Sequence, residues 1–300
     1  MFLEGPADYV LTAQAGAAWK VDDPVYMDGY GKGTEVTVAP PPARVPEGMG
    51  FIPGGVFRMG FKESGNADEK PAPAADVDGF FMDQYEVTNA QYGQCVAAGK
   101  CTAPSYDAGA CYSQPTAGGF LKGQVDGSYQ AEAKPVVCVD WQQAQAYCAF
   151  RGKRLPTEAE WEKAAAGPER FTWAFGDRFD GTKANHCDKN CQFAGDQTFD
   201  DGYASTVPVG MYPANGYGLH DMSGNVWEWV ADWYDVEFYV TPTSRQKNPE
   251  NRVAGQDLRV VRGRAWDNSA VNLRAANRVR FGPADRNVNI GFRCAAPSPR

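Results

Sequence analysis

The side chains best suited to chemistry gather near the C-terminus, between Arg259 and Cys294. Eight arginines lie there (Arg259, Arg262, Arg264, Arg274, Arg278, Arg280, Arg286 and Arg293) with five of the chain's thirteen asparagines, Asn268, Asn272, Asn277, Asn287 and Asn289. Small and polar residues give adaptable hydrogen bonding, while arginine and phenylalanine give anchors, so the composition suits recognition. No cysteine occurs between Arg262 and Arg293, which removes the thiolate as nucleophile or soft metal ligand. The two histidines, His186 and His220, lie elsewhere, and neither has a second histidine at metal-ligand spacing.

Such a stretch needs elements to hold it. Leu258 to Arg262 reads as a strand that breaks at Gly263, and Ile290 to Cys294 as a second short strand. The residues between have neither helical nor strand periodicity, and a long irregular loop inside a compact domain is more often functional than idle. Upstream, Met49 to Gly60 holds two apolar runs split by Pro53, Gly54 and Gly55, which predicts a β-hairpin. Gly79 to Asp83 predicts a strand, with residues 62–77 and 100–133 as loops. Thr88 caps a predicted helix through Ala98, and Asp140 caps another from Trp141 to Phe150. Thr157 and Glu160 form a capping box for a third, which stops at Gly167. Residues 1–45 read as an N-terminal extension with a Pro-rich linker, and 46–300 as one domain. The class is α+β and loop-rich, with few helices and short antiparallel strands.

A formal charge of −8 argues against nucleic acid as partner, since phosphate neutralisation needs clustered basic residues. No stretch approaches the roughly 18 uninterrupted apolar residues of a membrane span. The opening MFLEGPADYVLTAQ lacks the basic and apolar regions of a signal peptide. The eight cysteines read as disulfide partners: Cys95 and Cys101 bracket one short loop, Cys187 and Cys191 another, and Cys111, Cys138, Cys148 and Cys294 are assigned likewise. Zinc is a weaker alternative, because the close pairs are spaced x5 and x3 rather than x2; free thiols are another. Four disulfides imply an oxidising compartment, so the expected location is the cell surface, the periplasm or outside the cell.

Three runs together resemble one family: GGVFRMG (54–60), RLPTEAEWEKAA (154–165) and GYGLHDMSGNVWEWVADW (216–233), followed by RGRAW, LRAANR and GFRCA within 262–295. They resemble the formylglycine-generating enzyme (sulfatase-modifying factor) domain, a loop-rich variant of the C-type lectin fold, over residues 46–296. In the enzymes of that family two copper-binding cysteines follow an RGGS-type turn. Here the turn reads Arg262-Gly263-Arg264-Ala265 and no cysteine follows it before Cys294, so the resemblance implies neither copper nor catalysis. A related iron-dependent sulfoxide synthase needs a histidine triad that this chain does not supply. The resemblance further implies a disulfide between Cys148 and Cys294. It also implies two structural Ca²⁺ sites, one from Asn185, His186, Asp201 and Tyr203 and one from Asp221, Gly224, Val226 and Glu228.

The stretch 262–294 is also similar to the variable region of proteins diversified by diversity-generating retroelements, in which adenine substitution of AAC codons randomises chosen positions. Asp, Ser, Val, Phe, Gly and Ala are reachable that way; Lys, Glu, Gln, Met and Trp are not, and none of these occurs from Asp267 to Asn289. Gly263, Trp266, Leu273 to Ala276, Arg278 and Ile290 to Arg293 would form the frame, with Arg274 and Arg278 in ion pairs. Ligand-binding residues on this reading are Arg264, Asp267, Asn268, Ser269, Asn277, Val279, Phe281, Gly282, Asn287, Val288 and Asn289, with exposed side chains that recognise a protein or surface ligand. An oxidoreductase and a non-diversified scaffold domain are the alternatives.

Overall fold

The computed structural model describes residues 18–20, 35–37, 42, 44–61, 66–107, 109–116, 119–193, 195–241, 243–253, 256–269 and 272–298. Most of the stretch expected as an N-terminal extension lies outside these. Strands β1 (Ala18–Lys20) and β2 (Glu35–Thr37) pair antiparallel.

Strand β3 (Met49–Ile52) does not fold back on β4 (Gly55–Arg58) as the expected hairpin. It pairs with β6 (Phe80–Asp83), while β4 pairs with β5 (Ala74–Val77). The Pro53-Gly54 link carries the chain from one sheet to the other. Gly54 passes so close to the Gly79 nitrogen that a Cβ there would lie 2.7 Å from it. β6 also receives β13 (Ala295–Pro297), so the chain's end closes on the domain's start in the order β13-β6-β3.

Helices α1 (Asn89–Ala97), α2 (Trp141–Phe150) and α3 (Glu158–Ala166) begin at Thr88, Asp140 and Thr157. Each has a complete capping box, with Gln91, Gln143 and Glu160 reaching back to the cap nitrogen. The expected loop 100–133 contains a hairpin instead, β7 (Cys111–Thr116) with β8 (Gly119–Gly123). A register shift between Tyr112 and Gln114 hides its alternation. Its anchors are distant: Tyr112 donates to the Arg286 carbonyl at 2.8 Å and accepts from Val288 N at 3.1 Å.

The central sheet runs β11-β10-β9-β12, from β9 (Trp227–Trp233), β10 (Arg259–Arg262), β11 (Arg278–Phe281) and β12 (Ile290–Gly291). β11 corrects the expectation of an irregular 263–289. An arginine, Arg278, occupies the inward position of a strand and escapes a search for apolar alternation. Trp229 and Trp161 are fully buried on the two sides of this sheet's core, and Trp229 Nε1 donates to the Val139 carbonyl at 3.1 Å. The eight cysteines form four disulfides, Cys95–Cys101, Cys111–Cys138, Cys148–Cys294 and Cys187–Cys191. Among the described residues no helix is long and apolar enough to cross a membrane.

Candidate functional site

Five of the eight arginines between 259 and 293 are tied to carboxylates that are themselves at least mostly buried. Arg262 meets Glu158 at 3.2 Å and Glu162 at 2.5 Å, and Arg278 meets Glu158 at 2.8 Å, all with almost no exposure. Arg274, half-buried, holds Glu69 at 2.6 Å, and Arg286 holds Asp140, the cap of α2. Arg293 holds Glu228 at 2.7 Å. Arg274 and Arg278 are therefore ion-paired frame residues, as expected for them. Arg280 makes a more exposed pair with Asp68, and Arg259 is sandwiched between Trp141 and Trp233 at 3.7 and 3.5 Å. Arginines paired internally are not a phosphate-binding patch. Arg264 alone of the eight has, among the described residues, neither an ion pair nor a place between two rings.

Arg264 lines a pocket of about 410 Å³ between the 264–289 stretch, the β7–β8 hairpin and β9. Seven expected ligand-binding residues converge there: Arg264, Asp267, Asn268, Val279, Phe281, Asn287 and Asn289. Tyr112, Gly119 and Phe120 from the hairpin, Trp227 from β9, and Asp285 complete it. Sequence reasoning missed these. The hairpin looked like loop, and the Trp227 ring gave no sign of facing a cavity.

Within the pocket, Arg264 lies over the Trp227 ring at 4.8 Å and donates from Nε to Asn277 Oδ1 at 2.8 Å. Burial lowers its pKa to about 10, so it stays charged at neutral pH. Asp267 accepts from Asn289 Nδ2 at 3.0 Å, and burial pushes its carboxyl up to about 6. The Oδ1 atoms of Asp267 and Asn289 are buried without a partner.

The remaining expected residues separate. Ser269 is exposed and Gly282 half-buried. Uniform exposure does not hold: Asn277, Asn287 and Asn289 are buried, and Val288 is wholly so. The cause is local geometry, because residues 287–289 descend between the hairpin and β9, with Val288 N on Tyr112 O and Trp227 N on Asn289 O.

The implied Ca²⁺ sites fit in part. At the second, both Glu228 oxygens already accept from Arg293, and Oε2 also accepts from Trp161 Nε1 at 2.8 Å. Glu228 would have to share these donors with any metal it held. Glu86, which the sequence did not single out, stands beside it fully buried. Burial first, then Asp221 and Glu228, hold its carboxyl well above the ordinary range, and its Oε1 has no partner. Asp221 Oδ1 is likewise buried and unpartnered. Gly224 (φ +103°) lies against the Asn185 carbonyl, where a Cβ would come within 2.2 Å, so the DMSGN turn and the first site share a wall. At that first site Asn185 Oδ1 is buried without a partner. Asp201 accepts from Tyr203 N at 2.8 Å and Tyr212 Oη at 3.2 Å, while His186 turns its ring to the Ala184 carbonyl. Among the described residues no three His, Cys, Asp or Glu side chains form a ready cage, so carbonyl and amide oxygens would carry much of any coordination.

Residues 35–297 match the family described as "Sulfatase-modifying factor enzyme 1-like domain". The formylglycine-generating enzyme of Mus musculus is 35% identical over 281 residues, covering 82% of this chain and 74% of that protein. The serine/threonine-protein kinase pkn1 of Chlamydia caviae is 36% identical over 248 residues, covering 82% of this chain; the chain spans only 37% of that kinase's length. Among solved structures, Treponema denticola variable protein 1 aligns with a TM-score of 0.63 at 22% identity, covering 83% of this chain and 95% of that one. That likeness is one of fold.

Proposed function

The chain belongs to the sulfatase-modifying factor enzyme 1-like family, and from that premise we propose that it is a non-catalytic member that binds a ligand through a diversified surface. The observation that carries this reading is the convergence of seven exchangeable-looking side chains on one pocket, held by ion pairs that the exchangeable positions do not supply. Variation is tolerated where the backbone is fixed by other means, and Arg262, Arg278, Arg274 and Arg293 do that fixing. The fold shared with a Treponema variable protein supports it.

Against catalysis stands the donor set. The stretch 262–293 has no cysteine, and every cysteine of the chain is committed to a disulfide. Copper(I) would find no thiolate there. Calcium, if bound, would be held by Glu86 and Asp221 with neighbouring carbonyls, and by Asn185 and Asp201, and would pin loops rather than react. The disulfides suit an exported protein, and the partner would be a protein or surface molecule.

The deciding experiment is to sequence the DNA around the gene. A reverse-transcriptase gene and a near-copy of codons 262–294 that differs only at adenines are expected. A complete genome without both overturns diversification. The enzyme reading is tested by incubating copper-treated protein with a cysteine-containing sulfatase peptide, where formylglycine in the peptide would revive it.

A further inference from the structure

We propose that the pocket captures the C-terminal end of a polypeptide whose last side chain is apolar, with Arg264 as the hook for its carboxylate. The inference rests on the ligand-binding reading above and names the chemistry of the ligand.

Arg264 is set up as a hook in its backbone and its side chain. Its φ of +63° lies in the left-handed region that non-glycine residues rarely adopt, a feature that clusters at ligand clamps. Its side chain is fixed by Trp227 beneath and by Asn277 at Nε. Only the two terminal nitrogens remain, a planar fork matched to a carboxylate. Among the described residues no carboxylate takes that fork, although every other arginine of the stretch but Arg259 has found one.

The rest of the lining fits what adjoins a terminal carboxylate. The last peptide N–H needs an acceptor, and Asp267 Oδ1 and Asn289 Oδ1 are two without donors. The Asn289 amide can turn about its soft terminal torsion to present its oxygen. The last side chain needs an apolar wall, which Tyr112, Phe120 and Phe281 provide. Phe120 is steadied by edge contact with Trp266 at 6.0 Å between centroids. Asp285, the other acid of the lining, has Oδ2 engaged by Gly282 N at 2.8 Å. A volume of about 410 Å³ lies at the small end of the ligand-pocket range, roughly 300–1,000 Å³, and suits a chain end rather than a globular face.

The division of labour also fits. Trp227, Tyr112 and Phe120 lie outside the 262–294 stretch, whereas Arg264, Asp267, Val279, Phe281 and Asn289 lie within it. A carboxylate is common to every polypeptide end, so any copy that keeps Arg264 can vary the other lining residues to select the side chain.

An array of octapeptides ending in Phe, Leu, Val or Lys, each made as free acid and as amide, tests this. The expected result is retention of free acids ending in apolar residues at least about tenfold above their amides, and loss of that preference in Arg264→Gly. Glycine adopts the same φ without strain, so this variant folds, which an unlowered thermal midpoint checks. Equal retention of acid and amide, or a preference that survives in Arg264→Gly, overturns C-terminal capture while leaving ligand binding in place. Retention of no peptide also overturns it, and diversification is then judged separately from the template DNA.

Discussion

Arg293 grips Glu228 with two nitrogens, Nη2 to Oε1 at 2.7 Å and Nε to Oε2 at 2.8 Å, and neither side chain is exposed. The same guanidinium reaches the His220 carbonyl at 2.8 Å and those of Asp83 and Gln84 at 3.2 Å. One arginine of the GFRC run thus joins β9, the 216–222 turn and the end of β6. It is also the cation that Glu86 and Asp221 share. Arg293→Met would leave buried carboxylates without a counter-charge, and a loss of about 3–5 kcal/mol is expected. Urea denaturation reads it; a loss under about 1 kcal/mol would mean the pair is not part of the frame.

Asp267 gives a pH signature. Burial, the largest influence, raises its carboxyl to about 6, against the lowering effect of the Asn289 bond. The native state therefore holds its proton more tightly than the unfolded chain, whose value is near 3.9. Stability from this group is present below about pH 4 and lost as pH rises through about 6, by on the order of 3 kcal/mol. Asp267→Asn has no such proton, so its stability should decline less than the parent's between those limits. Parallel declines in denaturation series would show that Asp267 is not the source.

Much of the frame was legible because it is local. Thr88, Asp140 and Thr157 with their partners three residues on are complete helix starts within four residues each. The strands were harder, since β3 and β4 looked like partners and each found another through Gly54 packing on Gly79. β11 was hidden because Arg278 is inward-facing only by virtue of Glu158, which lies 120 residues away. The same distance hid half the pocket. Tyr112 belongs to it through its ladder to Arg286 and Val288, and nothing near Tyr112 in sequence announces that. Glu86 was equally silent, because an unpartnered buried oxygen is a property of the packed molecule.

Calcium should act on stability through the carboxylates just described. Adding Ca²⁺ to chelator-treated protein is expected to raise the thermal midpoint, with a stabilisation of about 2.7 kcal/mol at a hundredfold excess over Kd. Glu86→Gln should remove most of that gain. The absence of any shift in the parent protein would count against both sites, and a full shift in Glu86→Gln would count against this assignment of the second.

The Cys148–Cys294 disulfide joins the end of α2 to the residue just before β13, across a sequence separation of 146. It closes a long loop of the unfolded chain and holds the last strand in its sheet. Replacing both cysteines by alanine should cost about 2–5 kcal/mol. The paired Cys187–Cys191 variant, which frees a loop with a separation of only 4, should cost less. Thermal unfolding of the two double variants side by side decides it; equal losses would mean that chain entropy does not govern these bridges.

The positions proposed to be exchangeable are not equally free. Val288 is fully buried and packs in the core beside Ile290 and Phe292, whereas Ser269 is exposed. Both are reachable by the same codon substitutions, so a diversifying mechanism would reach them alike and folding would then sort the products. Ser269→Arg or Ser269→Phe should change stability by no more than about 0.5 kcal/mol. Val288→Asn puts an amide inside the buried hydrophobic cluster, and a loss of about 1–3 kcal/mol is expected. A library randomised at both positions and sorted for folded display should therefore keep all residue types at 269 and mainly small apolar ones at 288. If 288 proves as tolerant as 269, residues 287–289 do not descend between the hairpin and β9 as described.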